Sequence, residues 1–215
     1  SNDAQRDIDE YDQDCDHLIV VHKETKNVIG TYRVLPWVKR TARGYICEQE
    51  YNLVKIPSKN IAELGRLCIH KEYRRTNSFI TLWLGLYRYT KRYDITYLFG
   101  VTSLRKDEPV QNVQKLYSYL VSKKKISKRF RADAKVPLPL ENTPKVSKKE
   151  FTRIVPRMVL NYMRIGTKFI GVPCYDDVFH VYDLLTIYNT KSLQMKSANS
   201  IMTVRNHLKT LTSET

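Results

Sequence analysis

The sequence predicts an α/β or α+β fold built around one mixed sheet. Short runs of β-branched and apolar residues alternate with longer runs whose apolar residues recur at helical spacing. The chain of 215 residues is 42% hydrophobic and 27% charged, a balance typical of a globular protein that buries a sizeable core. We expect one large domain over residues 1–190 and a C-terminal tail, residues 191–215, that forms an amphipathic helix.

The first half of the chain predicts four segments. Residues 17–35 form a hairpin, because two β-branched runs flank the polar turn KETKN. Residues 42–59 have no clear period and predict a loop with partial structure. Residues 61–70 are rich in apolar and β-branched residues and predict a strand. Residues 76–93 carry apolar side chains at helical spacing after three acceptable N-cap residues, which predicts a helix.

The second half continues the alternation. Residues 95–104 predict a buried strand and residues 109–121 a second helix. A basic run, residues 122–135, leads into a proline-containing linker without periodicity. Residues 151–165 predict another helix, and residues 168–189 predict two further strands, or a strand and a turn.

The charge of the chain favours acidic partners. Lys and Arg number 37 against 22 Asp and Glu, a formal net charge of +15, which suits nucleic acid, an anionic membrane or an acidic carrier protein. Residues 3–16 are strongly acidic, whereas residues 122–135 are strongly basic. The basic run is either a docking surface or a solvated loop, and the sequence leaves both open.

The four cysteines predict neither a disulfide framework nor a zinc site, since none of them forms a CxxC pair. We therefore expect no bound metal and a reduced, cytoplasmic setting. The longest apolar stretch, FITLWLGLY, is much shorter than the ~20 residues of a membrane span, and the chain opens on no signal-peptide pattern. Peripheral contact with the inner face of the membrane stays open.

Glu63 is an unusual residue for an apolar strand. Alternation along the strand predicts that Glu63, Gly65 and Leu67 share one face, with Leu64 and Arg66 on the other. A glycine beside the carboxylate leaves room for a ligand to approach the backbone. Apolar neighbours raise the pKa of a carboxylate, as a general base requires.

The turn YRRTNSF lies directly after this strand, at the predicted start of the helix over residues 76–93. The N-terminus of a helix presents backbone N–H groups and attracts anions, phosphate above all. Arg74 and Arg75 add positive charge there. A strand that carries a carboxylate and leads directly into a helix start that attracts anions indicates a functional site more strongly than either feature alone.

Four stretches of the chain resemble a known family: RDIDEYDQDCDHLIVV, VIGTYRVL, AELGRLCIHKEYR with LWLGLYRY, and LNYMRIGTKFIGVPCYDDVFHVYDLL. They are similar to the acyl-carrier-protein-dependent N-acyltransferases of the GNAT superfamily, in particular the ornithine-lipid and glycine-lipid N-acyltransferases, a hemolysin-like family. The N-acyl amino acid synthases and acyl-homoserine-lactone synthases are more distant relatives.

The resemblance implies a mostly antiparallel sheet, flanked by helices, with a splayed central strand pair. The pantetheine arm of the donor would lie between the two parted strands. Glu63 matches the acidic residue that acts as the base, and Arg33 and Arg66 match the basic positions of the catalytic group. The resemblance places Asp12, Asp14 and Asp16 in the substrate site, and we expect Asp176 there as well. The expected donor site comprises Leu67, Arg74, Arg75, Asn77 and Ser78. A role for Asp176 in forming a turn of the backbone agrees with the sequence equally well.

The chain departs from this family in two ways. The phosphate loop of GNAT proteins has two glycines, which Arg74–Phe79 lack, so we expect acyl carrier protein as the donor in preference to coenzyme A. In either case the thioester is a co-substrate, and no tightly bound cofactor is expected. Members of the family also have an N-terminal helix and strand before the acidic motif. We expect either that the sequence lacks this part or that its acyl pocket is built differently.

The sequence therefore predicts an N-acyltransferase that moves a fatty acyl group from acyl carrier protein to the amine of an amino acid of the ornithine or glycine type, in aminolipid biosynthesis. Three alternatives remain: an acyl-homoserine-lactone-type signal synthase, a coenzyme-A-dependent GNAT acetyltransferase, and a basic nucleic-acid-binding module. The last lacks a recognition motif, and we expect no nucleic-acid partner.

Overall fold

The computed structural model describes residues 8–140 and 145–192. Within them lie a six-stranded sheet with the strand order β1-β2-β4-β5-β8-β7 and a two-stranded sheet of β3 and β6. The strands are β1 (Asp16–Val21), β2 (Val28–Pro36), β3 (Tyr51–Lys55), β4 (Ile61–Ile69), β5 (Tyr97–Ser103), β6 (Arg131–Ala134), β7 (Lys168–Asp176) and β8 (Val181–Asn189). The helices are α1 (Ser78–Arg92), α2 (Val110–Ser122), α3 (Lys148–Ile154) and α4 (Arg157–Ile165). The predicted helical tail falls, from residue 193 onward, outside the described residues.

The six-stranded sheet is mixed and mostly antiparallel. Only β4 and β5 run parallel among its neighbouring strands. Their pairing covers Ile61–Glu63 against Tyr97–Phe99 and stops there, although both strands continue. The central pair is therefore splayed, and the predicted fold class is confirmed.

Gly100 stands where β4 and β5 part. Its φ is +156°, and a Cβ at this position would overlap the carbonyl oxygen of Leu64. Only glycine lets the two backbones approach this closely. The point at which the two strands separate therefore depends on the absence of a side chain at Gly100.

A β-bulge in β4 corrects the predicted alternation of side chains. Thr31 of β2 pairs with Cys68 and Arg33 pairs with Gly65, so β4 contains one extra residue, and Arg66 has a φ of 50°. Beyond a bulge the faces exchange. Leu67, expected on the face of Glu63, instead packs in the cluster of Leu64 and α1, and Arg66 turns toward the same acidic partner as Arg33.

The two faces of the sheet are covered by different elements. On one face, Leu82 and Leu86 of α1 pack with Val34, Ala62 and Leu98. On the other face, Phe99 packs with Tyr45 and Tyr51, which belong to the segment containing β3. Glu63 lies on this second face, because it is aligned with Phe99 across the parallel pair.

The segment predicted as a loop with partial structure, residues 42–59, contains a 3₁₀ turn, Ile46–Gln49, and strand β3. Its partner β6 lies inside the basic run, where no strand was predicted. The two strands are short and their mutual pairing is antiparallel, and a short strand whose partner is far along the chain leaves little local signal.

The helix predicted over residues 151–165 is two helices, so this prediction was wrong. α3 ends at Ile154 and α4 begins at Arg157, with Pro156 at the N-cap of α4. Proline has no N–H to donate and forces the residue before it out of the helical conformation. The other two predicted helices correspond to α1 and α2. No helix in the described residues is both long and apolar enough to span a bilayer.

Candidate active site

Glu63 is held inside the protein by a pair of backbone N–H groups. Its side chain is buried, at 2% exposure. Its Oε2 accepts a hydrogen bond from Ile46 N at 2.6 Å, and its Oε1 accepts one from Cys47 N at 2.7 Å. Burial raises the pKa of Glu63 to about 7, against the opposing effect of these hydrogen bonds. At neutral pH the carboxyl group is therefore poised between its two protonation states.

The 3₁₀ turn that supplies these N–H groups is itself fixed by an ion pair. Tyr45 N donates to Glu48 Oε2 at 2.5 Å, which closes the start of the turn. Arg40 Nη2 in turn donates to both oxygens of Glu48, at 3.1 and 3.2 Å. Sequence reasoning missed this support because the turn lies in a segment without periodicity. The polar pattern at Glu48, three residues after Tyr45, was the available signal.

Space is available beside Glu63. A Cβ built at Gly65 would meet no atom within 4 Å. The sequence predicted that Gly65 leaves room near the carboxylate, and the structure agrees. The 3₁₀ turn Ile46–Gln49 covers Glu63. In the sheet, Glu63 is the last residue of β4 that pairs with β5.

Arg33 and Arg66 are brought together by an aspartate that was not among the predicted site residues. Arg33 Nη1 donates to both oxygens of Asp9 at 2.8 and 2.7 Å and to Asp12 Oδ1 at 2.8 Å. Arg66 Nη2 donates to Asp9 Oδ2 at 2.8 Å. Burial opposes ionisation of Asp12, but its hydrogen bonds from the Asp9 N–H and from Arg33 keep its pKa below the ordinary value.

The structure separates the other predicted aspartates from this network. Asp14 pairs with Arg43 at 2.5 Å. Asp16 pairs with Lys39 at 2.6 Å and accepts a hydrogen bond from the Tyr89 hydroxyl at 2.7 Å. The acidic motif therefore spreads over several basic partners, and of the three predicted aspartates only Asp12 contacts Arg33.

Asp176 lies in a different cluster. Its Oδ1 accepts hydrogen bonds from the N–H groups of Val178 and Phe179 at 2.8 and 3.0 Å, so it caps the β7–β8 turn. One oxygen of its carboxyl group lies within 4.8 Å of one oxygen each of Glu50 and Asp183, which are equally close to each other. Burial and mutual repulsion raise the pKa of Glu50 to about 9, and burial raises that of Asp183. Neither Glu50 nor Asp183 was predicted as a site residue.

A cleft opens where β4 and β5 part. It is lined by residues of both strands and of two helices, among them Leu64, Gly100, Thr102, Trp83 and Tyr162. The Tyr162 side chain hydrogen-bonds those of Tyr32 and Thr102, and burial raises the pKa of both tyrosines. Their hydroxyls therefore keep their protons at neutral pH. No sequence pattern distinguishes either tyrosine among the 15 in the chain.

The predicted donor-binding turn is partly occupied by its own side chains. Arg74 Nε donates to Ile69 O at 3.0 Å. Ser78 N donates to Thr76 Oγ1 at 3.2 Å, so Thr76 takes the first N–H of α1. Asn77 occupies the N-cap position without capping the helix through its side chain. Leu67 packs against α1, which leaves the exposed Arg75 as the least constrained predicted donor contact.

The chain is similar to known acyltransferases over most of its length. Residues 1–84 match the model of the acetyltransferase (GNAT) domain. An L-ornithine N(alpha)-acyltransferase of Rhizobium meliloti (strain 1021) is 27% identical over 197 residues, which cover 85% of this chain and 66% of the relative. The enzyme of the same name from Brucella abortus (strain 2308) is 28% identical over 200 residues, covering 85% of this chain and 70% of the relative. The chain thus spans about two thirds of the length of these curated relatives.

Solved structures support the fold. A coenzyme-A-dependent acyl-homoserine lactone synthase superposes with a TM-score of 0.54 at 11% identity and covers 93% of this chain and 71% of that chain. At this identity the likeness concerns the fold alone. The resemblance recognised from the sequence motifs is confirmed by the family model and by the ornithine acyltransferases.

Proposed function

We propose that this chain, a GNAT-fold relative of the L-ornithine N(alpha)-acyltransferases, transfers a fatty acyl group from a thioester to the amine of an amino acid. The acceptor is of the ornithine or glycine type, and the product is an N-acyl amino acid for aminolipid biosynthesis. The donor is acyl carrier protein, and the reaction takes place in the cytoplasm or at the inner face of the membrane.

One observation carries the proposal: β4 and β5 part directly after Glu63 and Phe99, where their pairing ends. A parted parallel pair leaves backbone groups of both strands without sheet partners, and an extended pantetheine arm can take their place. The cleft at this position is lined by Leu64 on β4 and by Gly100 and Thr102 on β5. The thioester carbonyl would therefore come to lie close to the residues that follow Glu63.

The groups around the cleft suit acyl transfer to an amine. Glu63, with its pKa of about 7, takes a proton from the substrate ammonium through a water in the open space at Gly65. The neutral amine attacks the thioester carbonyl, and backbone N–H groups after Glu63 stabilise the oxyanion. A C–N bond forms, the C–S bond breaks, and the carrier leaves as a thiol. Tyr162, protonated and inside the cleft, gives its proton to the thiolate and recovers one from the attacking nitrogen, which loses its second proton as the amide forms.

The arginine network serves the acceptor side of the site. Arg33 is buried and held by Asp9 and Asp12, whereas the Arg66 side chain is 32% exposed. In our proposal Arg33 positions the loop that carries the two aspartates. Arg66 provides the positive charge that attracts the carboxylate of the amino acid. This arrangement selects an α-amino acid over a simple amine.

The proposal is tested by incubating the purified full chain with palmitoyl-acyl carrier protein or palmitoyl-coenzyme A and with ornithine or glycine. Mass spectrometry should detect an N-palmitoyl amino acid, with the higher specificity constant for the carrier-bound donor, because Arg74–Phe79 lack the glycines that a pyrophosphate needs. Equal constants for both donors would contradict the choice of donor. Absence of any N-acyl amino acid with all four substrate pairs would contradict the proposed function, and release of a lactone would reassign the chain to signal synthesis.

A further inference from the structure

Three carboxylates meet on the sheet face that carries Glu63. Asp183 of β8 pairs with Ser103 of β5, and Ser103 lies an even number of residues from Phe99, the partner of Glu63. Glu50 follows the 3₁₀ turn Ile46–Gln49, and Asp176 ends β7. The sequence offers no metal motif here, because the three residues are far apart along the chain and only the fold brings them together.

Two oxygens of this cluster are buried without a hydrogen-bond partner. Asp183 is 2% exposed, and among the described residues its Oδ1 finds no donor, nor does Oε2 of Glu50. Buried polar atoms are almost always paired, and an unpaired buried carboxylate oxygen is costly. Glu50, Asp176 and Asp183 each place one carboxyl oxygen within 4.8 Å of those of the other two, so the three groups surround one small space.

The described residues provide this cluster with no basic side chain. Across residues 8–140 and 145–192, no lysine or arginine forms an ion pair with Glu50, Asp176 or Asp183. Lys135, which follows β6, directs its ammonium group to the Glu48 carbonyl at 2.7 Å instead. A positive ion at this cluster would therefore not compete with a basic side chain of the described residues.

We propose that Glu50, Asp176 and Asp183 form a binding site for a divalent metal ion of the Ca²⁺ class. All the ligands are carboxylate oxygens, which hard cations prefer, and Ca²⁺ binds oxygen at roughly 2.3–2.6 Å, so opposite ligands stand about 5 Å apart. The spacing within the cluster matches that span. Asp176 is preoriented, since its Oδ1 accepts hydrogen bonds from two N–H groups of the β7–β8 turn.

The ion would join parts of the fold that are distant in sequence. Glu50 lies between the 3₁₀ turn whose N–H groups hold Glu63 and strand β3, whereas Asp176 and Asp183 belong to β7 and β8. A metal at this position ties the layer that covers Glu63 to the six-stranded sheet. Its role is structural, and it stands apart from the proposed acyl transfer.

The experiment is a titration of the full chain, stripped with a chelator, with Ca²⁺ and Mn²⁺ by calorimetry, together with thermal unfolding. We expect one ion bound per chain with a Kd no weaker than ~10⁻³ M and a rise in Tm with the ion. Asp183→Asn should abolish both. Asp177→Asn removes the same charge from the neighbouring exposed residue and should leave both unchanged.

A second variant guards against misfolding. Glu50→Gln should fold, as judged by circular dichroism, and should lose the ion in the same way, since Gln keeps the shape of the side chain. Absence of saturable binding to the wild type overturns the proposal, as does binding that Asp183→Asn and Glu50→Gln both retain. None of these readouts depends on transferase activity, so the proposed function stands or fails separately.

Discussion

Glu63 shows how a single residue acquires properties that its own sequence neighbourhood only partly dictates. Its apolar setting on a strand predicted a raised pKa, and burial does raise it, to about 7. The two N–H groups that hold it come from Ile46 and Cys47, in a segment with no periodic signal. A partner supplied across the fold cannot be predicted from local pattern, and the same is true of Asp9, which joins Arg33 and Arg66.

Replacing Glu63 by Gln tests its role as the base. We expect the transfer rate to fall by ~10²-fold or more, the usual effect of losing a general base. The loss should be larger at low pH than at high pH, because neutral amine accumulates as the pH rises. Steady-state kinetics between pH 6 and 9, with circular dichroism as a control for folding, provides the measurement. Unchanged turnover at pH 7 would exclude Glu63 as the base.

The same substitution makes a prediction about stability. The pKa of Glu63 is raised from 4.5 to about 7 in the folded chain, so the folded state binds its proton more tightly than the unfolded state does. Stability from this group is therefore present below pH 4.5 and is lost as the pH rises through about 7. Urea unfolding at pH 5 and pH 8 should show a smaller decline for Glu63→Gln than for the wild type. An equal decline would show that Glu63 titrates as it does in the unfolded chain.

Arg33 is predicted to be a structural support for the acceptor side. Arg33→Ala leaves Asp9 and Asp12 without their buried partner, and breaking such a pair costs about 3–5 kcal/mol. Arg131→Ala is the matched control, because its ion pair with Asp133 is exposed on both sides and such pairs contribute at most about 1 kcal/mol. Chemical denaturation of both variants gives the comparison. Similar losses would mean that the Arg33 network contributes no more than a surface pair.

At the scale of the elements, periodicity predicted those whose backbone hydrogen bonds form within the element or with its neighbour in sequence. The hairpin β1–β2 and helices α1 and α2 were found where the pattern placed them. Two features that depend on partners elsewhere in the chain were missed, the β3–β6 pair and the bulge at Arg66; the break at Pro156 was also missed, although proline is a local signal. The bulge matters most, because one extra residue in β4 transfers Leu67 to the α1 face and turns Arg66 toward Asp9.

The splay of β4 and β5 can be tested through a pair of glycines. A Cβ at Gly100 would overlap the Leu64 carbonyl oxygen, whereas one at Gly85 in α1 would make an ordinary contact with Leu18 at 3.8 Å. Gly100→Ala should therefore destabilise the chain by about 1–3 kcal/mol. Gly85→Ala should be neutral or stabilising by up to about 1 kcal/mol, since alanine is the better helix former. Urea denaturation measures both changes in the free energy of unfolding. Unchanged stability of the Gly100→Ala variant would show that the strands can separate at another residue.

For the whole molecule, the net charge of +15 was predicted to serve an acidic partner, and the structure shows how the basic run is arranged. Lys123 lies over the Tyr119 ring, and Arg129 lies over Tyr97 and Phe130. Lys125 donates to the Met163 carbonyl oxygen. Part of the run is therefore packed against the fold, while Lys128 remains exposed. A run anchored in this way presents its charge at a fixed place, as a docking surface requires.

The last prediction concerns the place at which the donor arrives. Reversing the charge of Arg74 and Arg75 to Glu should raise the KM for acyl carrier protein, leave kcat nearly unchanged and flatten the dependence on salt, because rim charges govern mainly association. The same reversal at Lys148 and Lys149, exposed residues at the start of α3, is the control for net charge and should leave KM unchanged. Kinetics at several salt concentrations separates the two pairs.

The double substitution Lys123→Glu with Lys128→Glu tests whether the basic run also binds the carrier. If the run docks the carrier, KM rises as it does for the arginine pair. If it contacts anionic lipid, co-sedimentation with phosphatidylglycerol vesicles weakens and KM is spared. The control at the start of α3 also shows whether the carrier is attracted by a local surface or by overall charge. If charge reversal at α3 raises KM as much as reversal of Arg74 and Arg75, overall charge attracts the carrier, and not a surface at the start of α1.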